Sequence, residues 1–209
     1  MRKKLTISAI LLSILILLVA CDEEYIQAAE TSDLFKSVLR NEAPFSFGGF
    51  GTMYLDEYFY KMIPAQYIAV FDLFDNGSHA VLLNLSVFTL VLFHYNGEIL
   101  ASDFGHRAMN SINRHGTFFW SGGSGSGGAA RLELIGREIN YVIVFGTDWS
   151  FCPEGTEGVR VYFSMYGAPI SYAEYSELRE MHRAKERISW HPFTPETIEN
   201  LAAIKTPRA

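Results

Sequence analysis

The chain has 209 residues, with 17 Lys+Arg against 23 Asp+Glu for a formal charge of −6, and it is 49% hydrophobic. That length and apolar content suit one domain with a sizeable core, while the acidic balance, without a basic stripe, excludes a phosphate-backbone partner. Two cysteines exclude a disulfide framework.

Met1-Arg-Lys-Lys is a basic opening, Leu5 to Val19 is an apolar run, and Leu18-Val-Ala-Cys21 closes it. This is the pattern of a lipobox. Small Ala20 suits a signal peptidase pocket, and the Cys21 thiol is the nucleophile that takes a diacylglyceryl group before cleavage makes it the first residue. An apolar run of about 15 residues falls short of the ~20 that a spanning helix needs. The expected organisation is a signal peptide over 1–20, lipidated Cys21 and a tether over 21–30, one domain over 31–204 and a tail over 205–209. Two or three acyl chains of the palmitate class, at roughly 0.8 kcal/mol per buried CH₂, hold a domain on the extracytoplasmic face of a cell membrane. Cleavage removes Arg2, Lys3 and Lys4, which leaves 14 Lys+Arg against 23 Asp+Glu and a formal charge of −9. Anionic headgroups repel such a chain, so the membrane is expected as a partner only through Cys21, and nucleic acid is rejected. Cys152 then has no disulfide partner and reads as a packing residue.

Thr31 or Ser32 is expected to cap a helix whose apolar stripe is Leu34, Phe35, Val38 and Leu39. Phe45 to Gly51 reads as a Gly/Phe loop, and Met53 to Met62 as a short helix ended by Pro64. Gln66 to Phe104 holds four strands: Tyr67–Asp72, Ala80–Leu85, Val87–Tyr95 and Glu98–Phe104. Val87–Tyr95 is nearly all apolar, as in a strand covered on both faces, and Asn96-Gly97 is a type I′ turn signal.

The turn between the first two strands is rich in acids and amides before a glycine, like the Asp-x-Asp-x-Asp-Gly loops that wrap calcium. Its alternate positions are Asp72, Phe74 and Asn76, with Ala80 where a closing acid belongs. One strong ligand, one weak one and a phenyl ring fall short of the about six to eight oxygens a hard cation takes. The turn therefore reads as an Asx-stabilised hairpin, with Asp72 and Asn76 as a candidate weak calcium loop and no metal assigned.

Residues 106–112 are ambiguous between strand and helix, Arg114-His-Gly116 is a turn, and Thr117–Ser121 is a strand. Gly122–Gly128 is Gly and Ser only and contains Gly123-x-Gly125-x-x-Gly128, on paper a dinucleotide fingerprint. A lone match in a low-complexity run, followed by the strand-like alternation of Ala130–Ile135, reads as a flexible hairpin loop, and no cofactor is expected. Ser124 and Ser126 each miss one glycine of a nucleophile elbow. Arg131–Ile135, Asn140–Phe145 and Val159–Tyr166 complete an antiparallel series around a long loop over Asp148–Gly158. Ser171-x-x-Glu174 is a capping box for a helix running to about Arg187. Trp190–Phe193 is a turn, then Thr194 caps and Pro195 starts a last helix with Ile198, Leu201 and Ala202 as its apolar face. The fold class expected is α+β: a single domain, an antiparallel β-sheet meander flanked by N-terminal and C-terminal helices.

The order of an Ala-Val-Phe-Asp-Leu strand, Phe-His-Tyr-Asn-Gly-Glu, His-Arg-Ala-Met-Asn, His-Gly-Thr-Phe, Ser-Gly-Gly, Ser-Tyr-Ala-Glu-Tyr and Ser-Trp-His-Pro-Phe-Thr resembles an uncharacterised family of lipoproteins from Gram-positive gut bacteria, over most of residues 34–203. In that family the first turn is commonly an Asp-rich, calcium-loop-like turn, from which Phe74, Asn76 and Ala80 depart. The resemblance implies a cell-surface lipoprotein and supplies no catalytic residue.

Asp103, His106, His115, His182 and His191 are the candidate acids and bases, and none has the spacing of a metal site or a triad. Asp103, His106 and Arg107 form a candidate polar pocket at a sheet rim. The favoured class is a non-catalytic binding or structural module in the cell envelope. It would present Trp120, Trp149 and Phe151 to an envelope protein or glycan. The alternative is a lipid-anchored hydrolase with a site near Asp103 and His106, in a pocket lined by two or more of His94, His106, His115, Asp103 and Glu133.

Overall fold

The computed structural model describes residues 31–48, 51–61, 63–74, 78–105, 107–123, 126–148, 161–164 and 167–207. A helix over residues 31–39 (α1), strands β1 (Phe45–Phe47) and β2 (Thr52–Met53) and helix α2 (Leu55–Lys61) lead into the central hairpins. These are β3 (Tyr67–Phe71), β4 (Ala80–Asn84), β5 (Phe88–Tyr95) and β6 (Glu98–Gly105), paired antiparallel in chain order. Asn96 and Gly97 turn the last hairpin with φ of 49° and 83°, as a type I′ turn requires.

Alternate residues of the central strands enter two different cores. Ile68, Val70, Leu83, Leu90 and Leu92 meet Phe35, Val38, Leu55, Tyr58 and Ile198 of the helices. Ala69, Phe71, Leu82, Val91 and Phe93 meet Phe118, Ala130 and Leu132 of a second sheet. Burial on both faces is why these strands read as unbroken apolar runs. The second sheet contains β7 (Thr117–Gly123), β8 (Ser126–Ile135), β9 (Glu138–Asp148) and β10 (Val161–Ser164), in the order β10-β9-β8-β7. Its far face carries Ala129 and Phe145, covered by Tyr175 of α3 (Tyr172–Ala184). The layers therefore run helices, sheet, sheet, helix, a single α+β domain with mostly antiparallel sheets.

The capping box opens α3: Ser171 Oγ accepts from the Glu174 amide at 3.2 Å, and the Glu174 carboxylate accepts from the Ser171 amide at 2.8 Å. The bonds donated to the carboxylate by the Ser171 amide and the Ser171 hydroxyl hold it below its usual pKa. The helix ends at Ala184, short of Arg187, because Lys185 turns to an extended conformation. β11 (His191–Pro192), α4 (Pro195–Glu199) and β12 (Lys205–Thr206) finish the chain. Thr194 caps α4 by accepting from the Thr197 amide at 3.2 Å. Ile198 and Leu201 are buried, whereas Ala202 is exposed.

Four segments differ from expectation, each for a packing reason. The Phe45–Gly51 loop contains β1, which pairs parallel with β6 through Ser46 and Leu100. Its anchor is Phe45, 1% exposed beside Tyr58, and it covers an edge of β6 that would otherwise be unpaired. The Trp190–Phe193 turn contains β11, an edge strand antiparallel to β3, where the missing amide of Pro192 is tolerated. The boundary at residue 204 falls short, since Lys205 and Thr206 pair parallel with Val70 and Phe71, and Thr206 is buried. Finally, the described part of the glycine run is strand: β7 extends through Gly123 and β8 begins at Ser126. A Cβ on Gly128 would lie 2.0 Å from the Phe145 carbonyl oxygen, and one on Gly146 would lie 2.8 Å from the Phe163 ring. Glycine is there because neighbours fill the space. The antiparallel strands of the expected α+β domain are divided between two packed sheets, and the part of the expected 148–158 loop that carries Cys152 lies outside the described residues.

Candidate functional site

Strand register sets Tyr67, Asn84, Thr89 and Phe104 in one row across β3, β4, β5 and β6. By alternation this row shares a face with Ala69, Leu82 and Val91, so it turns toward the second sheet. At this end the covering segment is a loop, not a strand. A cleft of about 250 Å³ opens there, floored by Asn84 and Thr89 and walled by Met109, Asn110, Ser111, Ile112 and Trp190, with Ser86 and Phe88 at its lip.

Local chemistry fixes each wall. The Asn84 side chain accepts from the Ser86 amide at 2.9 Å, an Asx turn that lets Ser86 take a φ of 65°. Met109 and Ile112, 2% and 3% exposed, anchor the covering loop in the inter-sheet core. The amides of Ala108 and Met109 donate to the Gly105 carbonyl, and Asn110 and Phe119 exchange backbone bonds at 3.0 and 2.8 Å. The Ile188 amide donates to the Ile112 carbonyl at 3.2 Å, which brings Trp190 to the same wall. Trp190 is half-buried against the inter-sheet core.

None of the nine lining residues ionises near neutral pH. They offer amides, hydroxyls and apolar surface. Thr89 is 5% exposed and lines the cleft. A hydroxyl on the floor of an opening can both donate a hydrogen bond to a ligand and accept one from it.

The residues singled out in the sequence are not gathered here. Asp103 points to the helical layer and accepts from the Tyr58 hydroxyl at 3.0 Å, while burial and that carboxylate push the Tyr58 pKa up. Arg107 is exposed, and its carbonyl accepts from the Ser121 amide of β7. His106 lies outside the described residues, so the described parts of the candidate polar pocket are Asp103, held against α2, and Arg107, beside the second sheet. His94 accepts from the Gly97 amide at 3.1 Å, Glu133 pairs with Arg131 on the second sheet, and His115 is exposed in a turn. None of these lines the cleft. His182 is buried in a separate network: Thr117 Oγ1 lies 3.2 Å from its Nδ1, Asn113 Nδ2 lies 3.4 Å away, and Phe119 meets the ring edge-on at 4.3 Å.

Asp72 is buried at the end of β3, and Asn76 lies outside the described residues. Phe74, which holds the middle alternate position of the calcium-like pattern, is 8% exposed and meets Phe93 edge-on at 5.5 Å in the inter-sheet core. Among the described residues no cluster of three or more His, Cys, Asp or Glu could hold a metal ion. Phe74→Asp would restore the acidic pattern but bury a charge among phenyl rings. It is expected to lower the thermal midpoint equally in chelator and in millimolar calcium; a variant more stable in calcium than the wild type would contradict this placement.

Trp120 is half-buried, not displayed: its ring lies against Gly122 and Gly146, and its Nε1 is buried with no partner among the described residues. Trp149, Phe151 and Cys21 lie outside the described residues. The aromatic that sequence reading missed is Trp190, which a turn-like Ser-Trp-His-Pro context hid. Among the described residues no helix is long and apolar enough to cross a membrane. Set against family models, curated proteins and solved structures, the chain matches none.

Proposed function

We propose that the chain is a bacterial surface lipoprotein, held on the extracytoplasmic face of the cell membrane by lipidated Cys21, that acts as a non-catalytic binding module of the envelope. The observation that carries the binding reading is the neutral cleft, which offers hydrogen-bonding amides and hydroxyls beside an indole and lacks a charged group among its lining residues. Sites of this make-up orient a ligand by a few polar contacts and hold it by apolar ones. Acid–base chemistry near neutral pH, by contrast, calls for an ionisable group within reach of the bound molecule. The anchoring reading rests on the basic opening, the apolar run and Leu18-Val-Ala-Cys21.

Fractionation of cells making the full chain tests the anchor. The wild type is expected in the membrane fraction, released by detergent and not by salt, and Cys21→Ala is expected to lose that detergent-dependent form. A Cys21→Ala chain that stays membrane-bound and labels with palmitate as the wild type does would contradict it. The binding module is tested at the cleft itself, as follows.

A further inference from the structure

Taking the cleft as the binding site, we infer that its ligand is a neutral saccharide, one pyranose ring seated with its C–H face on Trp190 and its hydroxyl rim toward Thr89, Asn84 and Ser111. Three observations converge on this class. The lining carries no charge, so a carboxylate, phosphate or ammonium ligand would lose its hydration without a counter-charge. The polar groups come from several sides, with Asn84 and Thr89 on the floor and Ser111 on the covering loop, as a ring with hydroxyls around its rim requires. At about 250 Å³ the cleft is smaller than the ~300–1,000 Å³ of sites for drug-sized ligands, a size for one ring and not a folded segment.

The walls add a direction. Tyr67 continues the floor row beyond Asn84 and is 46% exposed, so a second ring of a linear saccharide would meet an aromatic surface as it leaves the cleft toward β11. Ser111 is held at a φ of 51°, a left-handed conformation that costs free energy and that the covering loop maintains over the cleft.

The test titrates the full chain, in a sugar-free zwitterionic detergent, with N-acetylglucosamine, its linear trimer and, as a neutral amide without a hydroxyl rim, N-acetylglycinamide. Binding is read by calorimetry. The trimer is expected to bind more tightly than the monosaccharide, and the amide not measurably. Thr89→Val, nearly isosteric, is expected to weaken saccharide binding about tenfold by removing one hydrogen-bonding hydroxyl. Trp190→Ala is expected to abolish it. Because Trp190 also packs on the core, Trp190→Phe serves as the folded comparison and should retain part of the affinity. If the amide binds with the same dependence on Thr89 and Trp190 while the saccharides do not, the saccharide inference is overturned and the cleft stands as a binding site. If neither probe binds, or saccharides bind equally to all variants, both the inference and the assignment of this cleft are overturned.

Discussion

Gly128→Ala is expected to cost more than about 4 kcal/mol, a loss seen only when a substitution breaks a specific structural feature. The added methyl would stand 2.0 Å from the Phe145 carbonyl oxygen and 2.6 Å from the Gly146 Cα. Both obstacles are backbone, so no side-chain rotation relieves them. β8 and β9 would have to separate at the rung where Gly128 faces Gly146, next to the register shift between Ala129 and Ala130. Gly105→Ala supplies the comparison, since a Cβ there meets nothing within 4 Å. Denaturant unfolding should leave that variant within about 1 kcal/mol of wild type. A Gly128→Ala protein equally stable would mean that the second sheet does not close as described.

The second large effect is a loss of stability on mild acidification. His182 is 4% exposed, and burial, with smaller contributions from Lys185 and Arg187, pushes its pKa down to about 4 from 6.5. The unfolded chain therefore binds a proton at this residue between those values, while the folded chain does not. Stability rises with pH wherever the unfolded state holds more protons, so this contribution is complete above pH 6.5 and is lost as pH falls toward 4. The size is about 3 kcal/mol at most, from 1.36 kcal/mol per pKa unit. Glu98, Glu174 and Glu199 are lowered below 4.5 by their hydrogen bonds, so their contributions fade only in more acidic solution. The difference between wild type and His182→Gln isolates the His182 contribution across the window from 6.5 to 4.5. Unfolding curves across it should steepen for wild type and flatten for His182→Gln, which keeps an amide near Asn113 and Thr117. Equal pH slopes in the two proteins would show that His182 is charged or solvated in the folded state.

The central hairpins were legible because their chemistry is local. β-branched and aromatic runs broken by Asn96-Gly97 leave few alternatives, and Ser171 with Glu174 or Thr194 with Pro195 mark helix starts without reference to the rest of the chain. The segments misread as loop, turn or tail, β1, β11 and β12, are two or three residues long and exist because the sheet offers an unpaired edge. A period of two cannot appear in so short a stretch. The glycine run was misread for a related reason. Low side-chain content signals flexibility when chain neighbours alone are considered, but here it lets the backbone of Phe145 and Gly146 approach Gly128 from β9.

The cleft was illegible for the same cause. Its floor comes from β4 and β5, its cover from residues 109–112 and its indole from residue 190, and no spacing in the chain links them. Titratable residues drew attention to Asp103, which instead anchors a tyrosine, whereas the chemistry of the cleft lies in amides and hydroxyls common to any surface.

The most direct test of the cleft as the ligand site is the indole N–H region of a ¹H–¹⁵N spectrum during titration with N-acetylglucosamine trimer, each of the three tryptophans assigned by single Trp→Phe substitution. The Trp190 signal is expected to move saturably while the Trp120 signal, packed against Gly146, stays in place. A Trp190 signal that stays fixed while that of Trp120 or Trp149 moves would contradict the account and place the ligand on another surface.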